Sequence, residues 1–472
     1  MKKFKLFMEN FLIYGLGGII NKIIPLIMLP IVTRLMPNST YFGISDMSGT
    51  IISFASAIAI MGMYDAMYRS FFEKENLKYK TSVCSTALAF TLVTSIIVFI
   101  IMLVFKNQIA AIFLGNSTYG YVIYITSLAT LVSATNSIVS APTRMQNKKK
   151  IFLLINTISP ILSYSISIPL ILNGHYIIAL PLASAISGIS IEIIFAILNK
   201  QWFSIKKIDL KLLKQMLVIA IPLFPNFLIY WIFNSSDKVM ITNILGIGAA
   251  GIYSIGAKLG HASQLIYTAF AGGWQYFAFS TMKEKNQVKS NSLVFEYLGI
   301  ISFFATSLIC VSSEWIFKLL FTEEYSIAYI VGPYLFLAPL LQMLFQVAAN
   351  QFLIIKKTWP NFLILSLGAI INIFLNFTLI PIIGIEGAAI ATLVGYVITD
   401  IIVTIVLIKM KLMVISRRFM IATFAFIMFL LLWRIIILKY IVFELLLLIL
   451  IGILYIILYK KELFKIFSLL KK

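Results

Sequence analysis

Charge is scarce in this chain, and so are the residues that do chemistry. Only 12% of its 472 residues are charged, against roughly 25% in soluble domains. It has two cysteines and two histidines. Cys84 and Cys310 lie in different apolar runs, away from His175 and His261, so neither a metal-ligand nor a redox spacing exists. The cysteines read as small hydrophobes. A Walker A loop is missing, which excludes ATP as the direct energy source, and so is a Gly-x-Ser-x-Gly elbow. No stretch outside the apolar runs is long enough to fold as a domain, and nothing points to an enzyme.

What remains is apolar. Hydrophobic residues make up 61% of the chain and the mean hydropathy is +1.01. Runs of about 20 apolar residues recur, the length that crosses ~30 Å of hydrocarbon as a helix. Basic residues mark every second gap between them: Lys2, Lys3 and Lys5; Arg69 to Lys80; Arg144 to Lys150; Lys200 to Lys214; Lys283 to Lys289; Lys356 and Lys357; Lys409 to Arg418; and Lys460 to Lys472. Basic residues in short loops stay on the cytoplasmic side, so the alternation predicts an all-α polytopic membrane protein of 14 transmembrane helices with both termini cytoplasmic. The first run, Phe11 to Thr33, has no cleavage site of small residues and reads as a retained helix. A net charge of +21 does not indicate nucleic acid, because the basic residues flank apolar segments and do not cluster with aromatics.

Eight basic residues fall outside the cytoplasmic set: Lys22, Arg34, Lys106, Lys238, Lys258, Lys318, Arg434 and Lys439. Six sit near external helix ends, where they can snorkel. Lys22 and Lys258 are deep. An ammonium at the bilayer centre costs at least ~2.5 kcal/mol, so each faces protein or water. Two readings stay open: ion pairing with a buried carboxylate such as Asp65 or Glu192, or a cationic cavity for an anionic ligand, to which His261 would add. Glu192 and Asp400 are intramembrane, while Asp46, Asp65 and Glu386 lie nearer helix ends. Such acids carry protons, bind sodium or neutralise lysines. His175 reads as a solvated residue in an external turn.

The chain also matches itself weakly at an offset near 208 residues. Lys148 and Lys149 fall on Lys356 and Lys357, Gly43 on Gly251, Glu192 on Asp400, Gly188 on Tyr396 and, with one residue of slippage, Thr33 on Thr242. Two parallel six-helix repeats follow, an arrangement of secondary transporters. The expected divisions are a first lobe at 1–200, a cytoplasmic linker at 201–214, a second lobe at 215–410, and two peripheral helices with a tail at 411–472. Pro25 and Pro30 in the first run and Pro222 and Pro225 in the seventh stand at corresponding starts of the halves, where bending would serve a rocking motion.

The segment Asn234-Ser-Ser-Asp237-Lys238-Val-Met-Ile, then Leu245-Gly246 and Ala250-Gly251-Ile-Tyr253-Ser254, resembles the central signature of the polysaccharide biosynthesis flippases. Arg34-Leu-Met-Pro37 leading to Tyr41-Phe-Gly43 looks like its counterpart after the first helix. The resemblance spans about the first 410 residues. It implies a fold like that of multidrug/toxin extruders and the flipping of a polyprenyl diphosphate-linked oligosaccharide, such as an O-antigen or capsule repeat unit, to the outer leaflet by alternating access. Lys22, Lys258, Arg34 and His261 would form the cationic substrate site, with Asp65, Glu192, Asp237 and Asp400 serving ion coupling or charge pairing. The resemblance implies no cofactor beyond a coupling proton or sodium ion. Membrane lipids and polymerase and export machinery would be partners, nucleic acid would not, and a bacterial cytoplasmic membrane would be the location. Two alternatives stay open: a multidrug/toxin extruder, expected to have a more acidic cavity, and a lipid II or teichoic acid precursor flippase, where lipid II flippases resemble a richer arginine set.

Overall fold

The structure, a computed structural model, describes residues 23–462 except 283, 358 and 438–440. These residues are almost entirely helical, with no strand among them. The helices are α1 (Ile23–Leu35), α2 (Ser39–Ile60), α3 (Met63–Phe71), α4 (Leu77–Val104), α5 (Lys106–Leu114), α6 (Gly120–Met145), α7 (Lys149–Leu172), α8 (Tyr176–Asn199) and α9 (Leu210–Leu245). They continue as α10 (Ile247–Gly260), α11 (Gln264–Ser280), α12 (Gln287–Leu320), the single turn α13 (Glu323–Ser326), α14 (Val331–Ile354), α15 (Trp359–Ile383), α16 (Ile385–Lys409), α17 (Arg417–Leu432) and α18 (Ile441–Leu458). Eleven helices among the described residues are long and apolar enough to cross a membrane, and α1 and α18 are shorter apolar helices.

Local chemistry fixes many of the boundaries. Asn38, Asn76, Asp209 and Ser416 accept hydrogen bonds from backbone N–H groups of the first turns of α2, α4, α9 and α17, supplying acceptors that lipid cannot. The second apolar run is two helices, because Met61 and Gly62 both take left-handed backbone angles between α2 and α3. A side chain at Gly62 would meet the Ala220 carbonyl oxygen of α9 at 2.5 Å. The eighth run is likewise divided, into α10 and α11, by a 3-10 turn at His261–Ser263. The seventh, by contrast, is uninterrupted despite Pro222 and Pro225: α9 has 36 residues, about 54 Å at 1.5 Å per residue. It therefore exceeds the hydrocarbon thickness, and Asp237 and Lys238 lie inside it, two turns before its end.

The chain forms two compact units, 1–254 with 376–385, and 255–375 with 386–472. The first unit ends within α10, beyond the 201–214 linker. In it α6 packs against α2, α4 and α8, and α9 against α2, α3, α4 and α5. One apolar cluster, including Met63, Phe71, Val83, Ile138, Trp202 and Met216, joins α3, α4, α6 and α9; another, including Ile44, Met47, Met102, Leu114 and Ile123, joins α2, α4, α5 and α6. In the second unit α12 packs against α14, α17 and α18. Several hydroxyl groups inside the spans are satisfied by their own helices: Thr126, Thr130, Thr306 and Ser307 donate to carbonyls four residues back.

The C-terminal helices present broad apolar faces, with Phe424, Ile449 and Ile457 exposed. They are nevertheless held by polar links. Arg434, in the π-helical stretch after α17, grips Glu386 at the start of α16 with two hydrogen bonds, one of them Nη2 to Oε2 at 2.7 Å. At the other end Glu296 of α12 accepts from the Ser416 backbone and hydroxyl, both at 2.8 Å, and Arg418 pairs with Glu462 at 2.5 Å. Arg434 is thus not a snorkelling residue: its guanidinium neutralises a buried acid.

Candidate functional site

The first unit holds a buried ionic network built by three helices. It begins with an unusually close crossing of α2 and α10. A Cβ at Gly43 would lie 2.2 Å from the Ile247 carbonyl oxygen, and one at Gly251 would lie 2.4 Å from that of Ser39 and 2.9 Å from the Gly43 nitrogen. Only glycine permits backbones to meet this closely. Adding 208 to residues 39 and 43 gives 247 and 251. The two contacts therefore exchange under the internal offset, the reciprocity of a two-fold contact between equivalent segments. Gly246, at φ 95°, makes the turn that sends α10 back from α9 to reach this crossing.

One turn below the crossing the charges meet. Lys238 Nζ of α9 lies 2.7 Å from Asp46 Oδ2 of α2, with only 14% and 7% of their side chains exposed. The next residue back, Asp237, is 4% exposed and accepts a hydrogen bond from the Tyr253 hydroxyl of α10. Its Oδ1 also accepts from the Lys238 backbone N–H at 2.8 Å. One ammonium therefore stands against two carboxylates, and one of these is further satisfied by a phenol. Along the same α2–α9 seam, Trp231 Nε1 donates to Ser53 Oγ at 3.3 Å and its ring packs on Phe54, centroids 4.5 Å apart. Burial makes the pairing obligatory, because an isolated charge in this setting is far more costly than the pair.

Lys238 corrects the sequence reading most directly. The sequence places it among residues free to snorkel; the structure makes it the buried partner of Asp46. The legible signal was its direct adjacency to Asp237 inside an apolar helix, with Asp46 as an unassigned acid near the external end of another. The remaining nominated residues fall as follows. Lys22 lies outside the described residues. Arg34 is exposed in the last turn of α1, in the first unit; Lys258 is exposed in the last turn of α10 and His261 is half-buried in the 3-10 turn after it, both in the second unit. Asp65 is exposed on α3, and Glu192 of α8 is half-buried and hydrogen-bonded with Thr135 of α6. Asp237 joins the ionic network. Asp400 of α16 is 8% exposed, with both carboxylate oxygens buried and without a hydrogen-bond partner among the described residues. No group of three or more histidine, cysteine or acidic side chains among the described residues is arranged to hold a metal ion.

Long apolar helices, glycine-permitted crossings and buried charges paired across helices define a multi-pass helical membrane protein. The profile described as polysaccharide biosynthesis protein matches residues 7–276, more than half of the chain, and the chain belongs to that family. No curated protein sequence matches it. Its fold is similar to that of lipid II flippase MurJ in an inward closed conformation, over 97% of this chain and 99% of that one, with a TM-score of 0.70 at 14% identity. An inward-facing multidrug resistance MATE family transporter of the MOP superfamily matches over 84% and 98%, with a TM-score of 0.65 at 11% identity. A MOP superfamily transporter from Pyrococcus furiosus, described as having a binding pocket of reverse polarity, matches over 86% and 95%, with a TM-score of 0.57 at 12% identity.

Proposed function

We propose that the chain is a flippase for a polyprenyl diphosphate-linked oligosaccharide, an O-antigen, capsule or related repeat unit. Membership of the polysaccharide biosynthesis family carries this reading. A fold shared with flippases and transporters supports movement of the cargo and not catalysis on it. In this reading the chain crosses a bacterial cytoplasmic membrane fourteen times with both termini inside, as the alternation of basic loops suggests. Lys22, Arg34, Lys258 and His261 attract the diphosphate or acidic sugars, lysine acting as a point charge that does not demand bidentate geometry. The reciprocal Gly43 and Gly251 contacts support two equivalent halves working by alternating access. Polymerase and export machinery would receive the flipped unit.

The similarity to lipid II flippase MurJ favours one second reading, a lipid II or teichoic acid precursor as cargo. The similarity to MATE transporters gives another, extrusion of organic cations. Competition binding to the purified protein separates them. A photoreactive polyprenyl diphosphate oligosaccharide is expected to label the parent and to be displaced by the unlabelled glycolipid. Labelling should fall in Lys258→Ala and in Lys22→Ala. Unchanged labelling in both variants would remove the two lysines from the site, and displacement by organic cations alone would remove the flippase reading.

A further inference from the structure

We propose that Gln342, Gln346 and Asn350 of α14 form a subsite for the uncharged hydroxyl or acetamido groups of a sugar. That the ligand is a sugar rests on the flippase reading above. α14 lies within the second unit and is enclosed by packing. From Val331 to Phe352 every residue is buried except Gln342 and Gln346, which are half-buried and one turn apart on one face. Asn350 continues that face by another turn and is 3% exposed. Where this stretch opens at all, it shows carboxamides.

Such a strip does not suit lipid. Polar side chains inside spans turn to protein or to a water-filled cavity, and exposed faces elsewhere in this unit are apolar, as at Ile301 of α12 and Ile370 and Phe374 of α15. Nor are these amides spent on joining helices. A neighbouring face of α14 does that: Gln287 Nε2 of α12 donates to Gln351 Oε1 at 3.2 Å, and Asn291 Nδ2 donates to the Val347 carbonyl at 3.4 Å. By contrast, Gln346 Oε1 and Asn350 Nδ2 are buried without a hydrogen-bond partner among the described residues, although buried polar groups are ordinarily paired. At the internal offset of 208 the same three places are Ala134, Ile138 and Pro142 of α6, all buried. The equivalent helix therefore packs without amides there, and the fold does not require them.

An open acceptor on Gln346 and an open donor on Asn350, one turn apart, select a group that both gives and takes a hydrogen bond. A sugar hydroxyl does so, and an acetamido group does so through its N–H and C=O. An ionised diphosphate only accepts and an ammonium only donates, and α14 has no acidic or basic residue to hold either. Neutral hydrogen bonds are individually modest, so the strip can read a glycan and still release it. Recognition of the diphosphate falls to the basic residues of the reading above.

Binding of two lipids to the purified full-length protein tests the subsite: polyprenyl diphosphate carrying chitobiose, and the same lipid without sugar. The parent should bind the glycolipid about tenfold more tightly, the scale of one or two neutral hydrogen bonds. Gln342→Met/Gln346→Met and, separately, Asn350→Leu should bring the two affinities together by weakening the glycolipid alone. Both should melt no lower than the parent, because an unpaired amide gives way to an apolar group of similar size. Should the double variant melt lower, the affinity ratio in Gln346→Met alone decides. A ratio unchanged in the variants, or a parent that binds both lipids equally, would overturn the subsite and leave the flippase reading standing. A parent that binds neither lipid defeats the flippase reading, and the sugar assignment falls with it.

Discussion

Replacing Lys238 by methionine keeps the length of the side chain and removes its charge, leaving the buried Asp46 and Asp237 carboxylates without their shared ammonium. At 2.7 Å the Lys238–Asp46 attraction is about 6 kcal/mol at an effective dielectric constant of 20, before desolvation is subtracted. Loss of one partner from a buried pair costs about 3–5 kcal/mol, because the remaining charge is stranded. The Tyr253 hydroxyl donates to Asp237 and offsets part of the charge left on that carboxylate. Asp46→Asn strands the lysine less severely, since Asp237 remains beside it. The double variant Asp46→Asn/Lys238→Met removes one charge of each sign and should regain most of the loss, with a coupling of about 2–3 kcal/mol between the sites. Thermal melting of the four purified proteins in one detergent gives the cycle. Lys238→Met should melt well below the parent and the double variant above Lys238→Met. A Lys238→Met protein as stable as the parent would refute the argument that this pair is obligatory.

Gly43→Ala and Gly251→Ala should each destabilise by about 1–3 kcal/mol through overpacking at the α2–α10 crossing, whereas Gly49→Ala, with open space around it, should be neutral or slightly stabilising; the same melting assay compares them. Arg434→Ala should expose α17 and α18 to limited proteolysis, because it strands Glu386 beside Tyr334 alone, and Glu386→Gln in the same chain should reverse much of that exposure. Partial burial pushes Glu462 upward, but its hydrogen bond and charge interaction with Arg418 prevail and hold it below its ordinary 4.5. A lowered carboxylate contributes stability above its unfolded value and loses it as pH falls through the folded one. Glu462→Gln should therefore melt slightly below the parent at neutral pH and converge with it in strong acid, a small difference because the pair is partly solvated.

The helical architecture was legible because lipid leaves backbone groups no alternative partner, so apolar length and basic punctuation report almost directly on helices. Breaks within the runs were less visible. Nothing in the run from Gly43 to Tyr68 except the Met61-Gly62 step marks the left-handed turn, and Pro222 and Pro225 suggest a bend in what is one long helix. The ionic network was half legible. The flippase-like signature drew attention to Asp237, Lys238 and Tyr253, and the self-comparison paired Gly43 with Gly251. Neither could reveal that these glycines touch, and that contact sets the approach of α2 to the α9–α10 turn. Position along an apolar run set Lys22 and Lys258 apart as deep; Lys22 lies outside the described residues, and Lys258 is exposed in the last turn of α10, where the run is broken by a 3-10 turn that the sequence does not mark. The partner across the helix interface, which buries Lys238 against Asp46 and ties the half-exposed Arg434 to the buried Glu386, is set by packing that no single segment encodes.

The central claim is movement of a lipid-linked glycan between leaflets, and a leaflet-accessibility assay in proteoliposomes tests it most directly. With a polyprenyl diphosphate oligosaccharide confined at first to one leaflet, the purified protein should carry it to the other, measured by loss of protection from an added glycan-oxidising or glycan-binding reagent, while protein-free vesicles retain it. Vesicles that keep the glycolipid in its original leaflet, in the presence of correctly inserted protein that exchanges organic cations, would contradict the account.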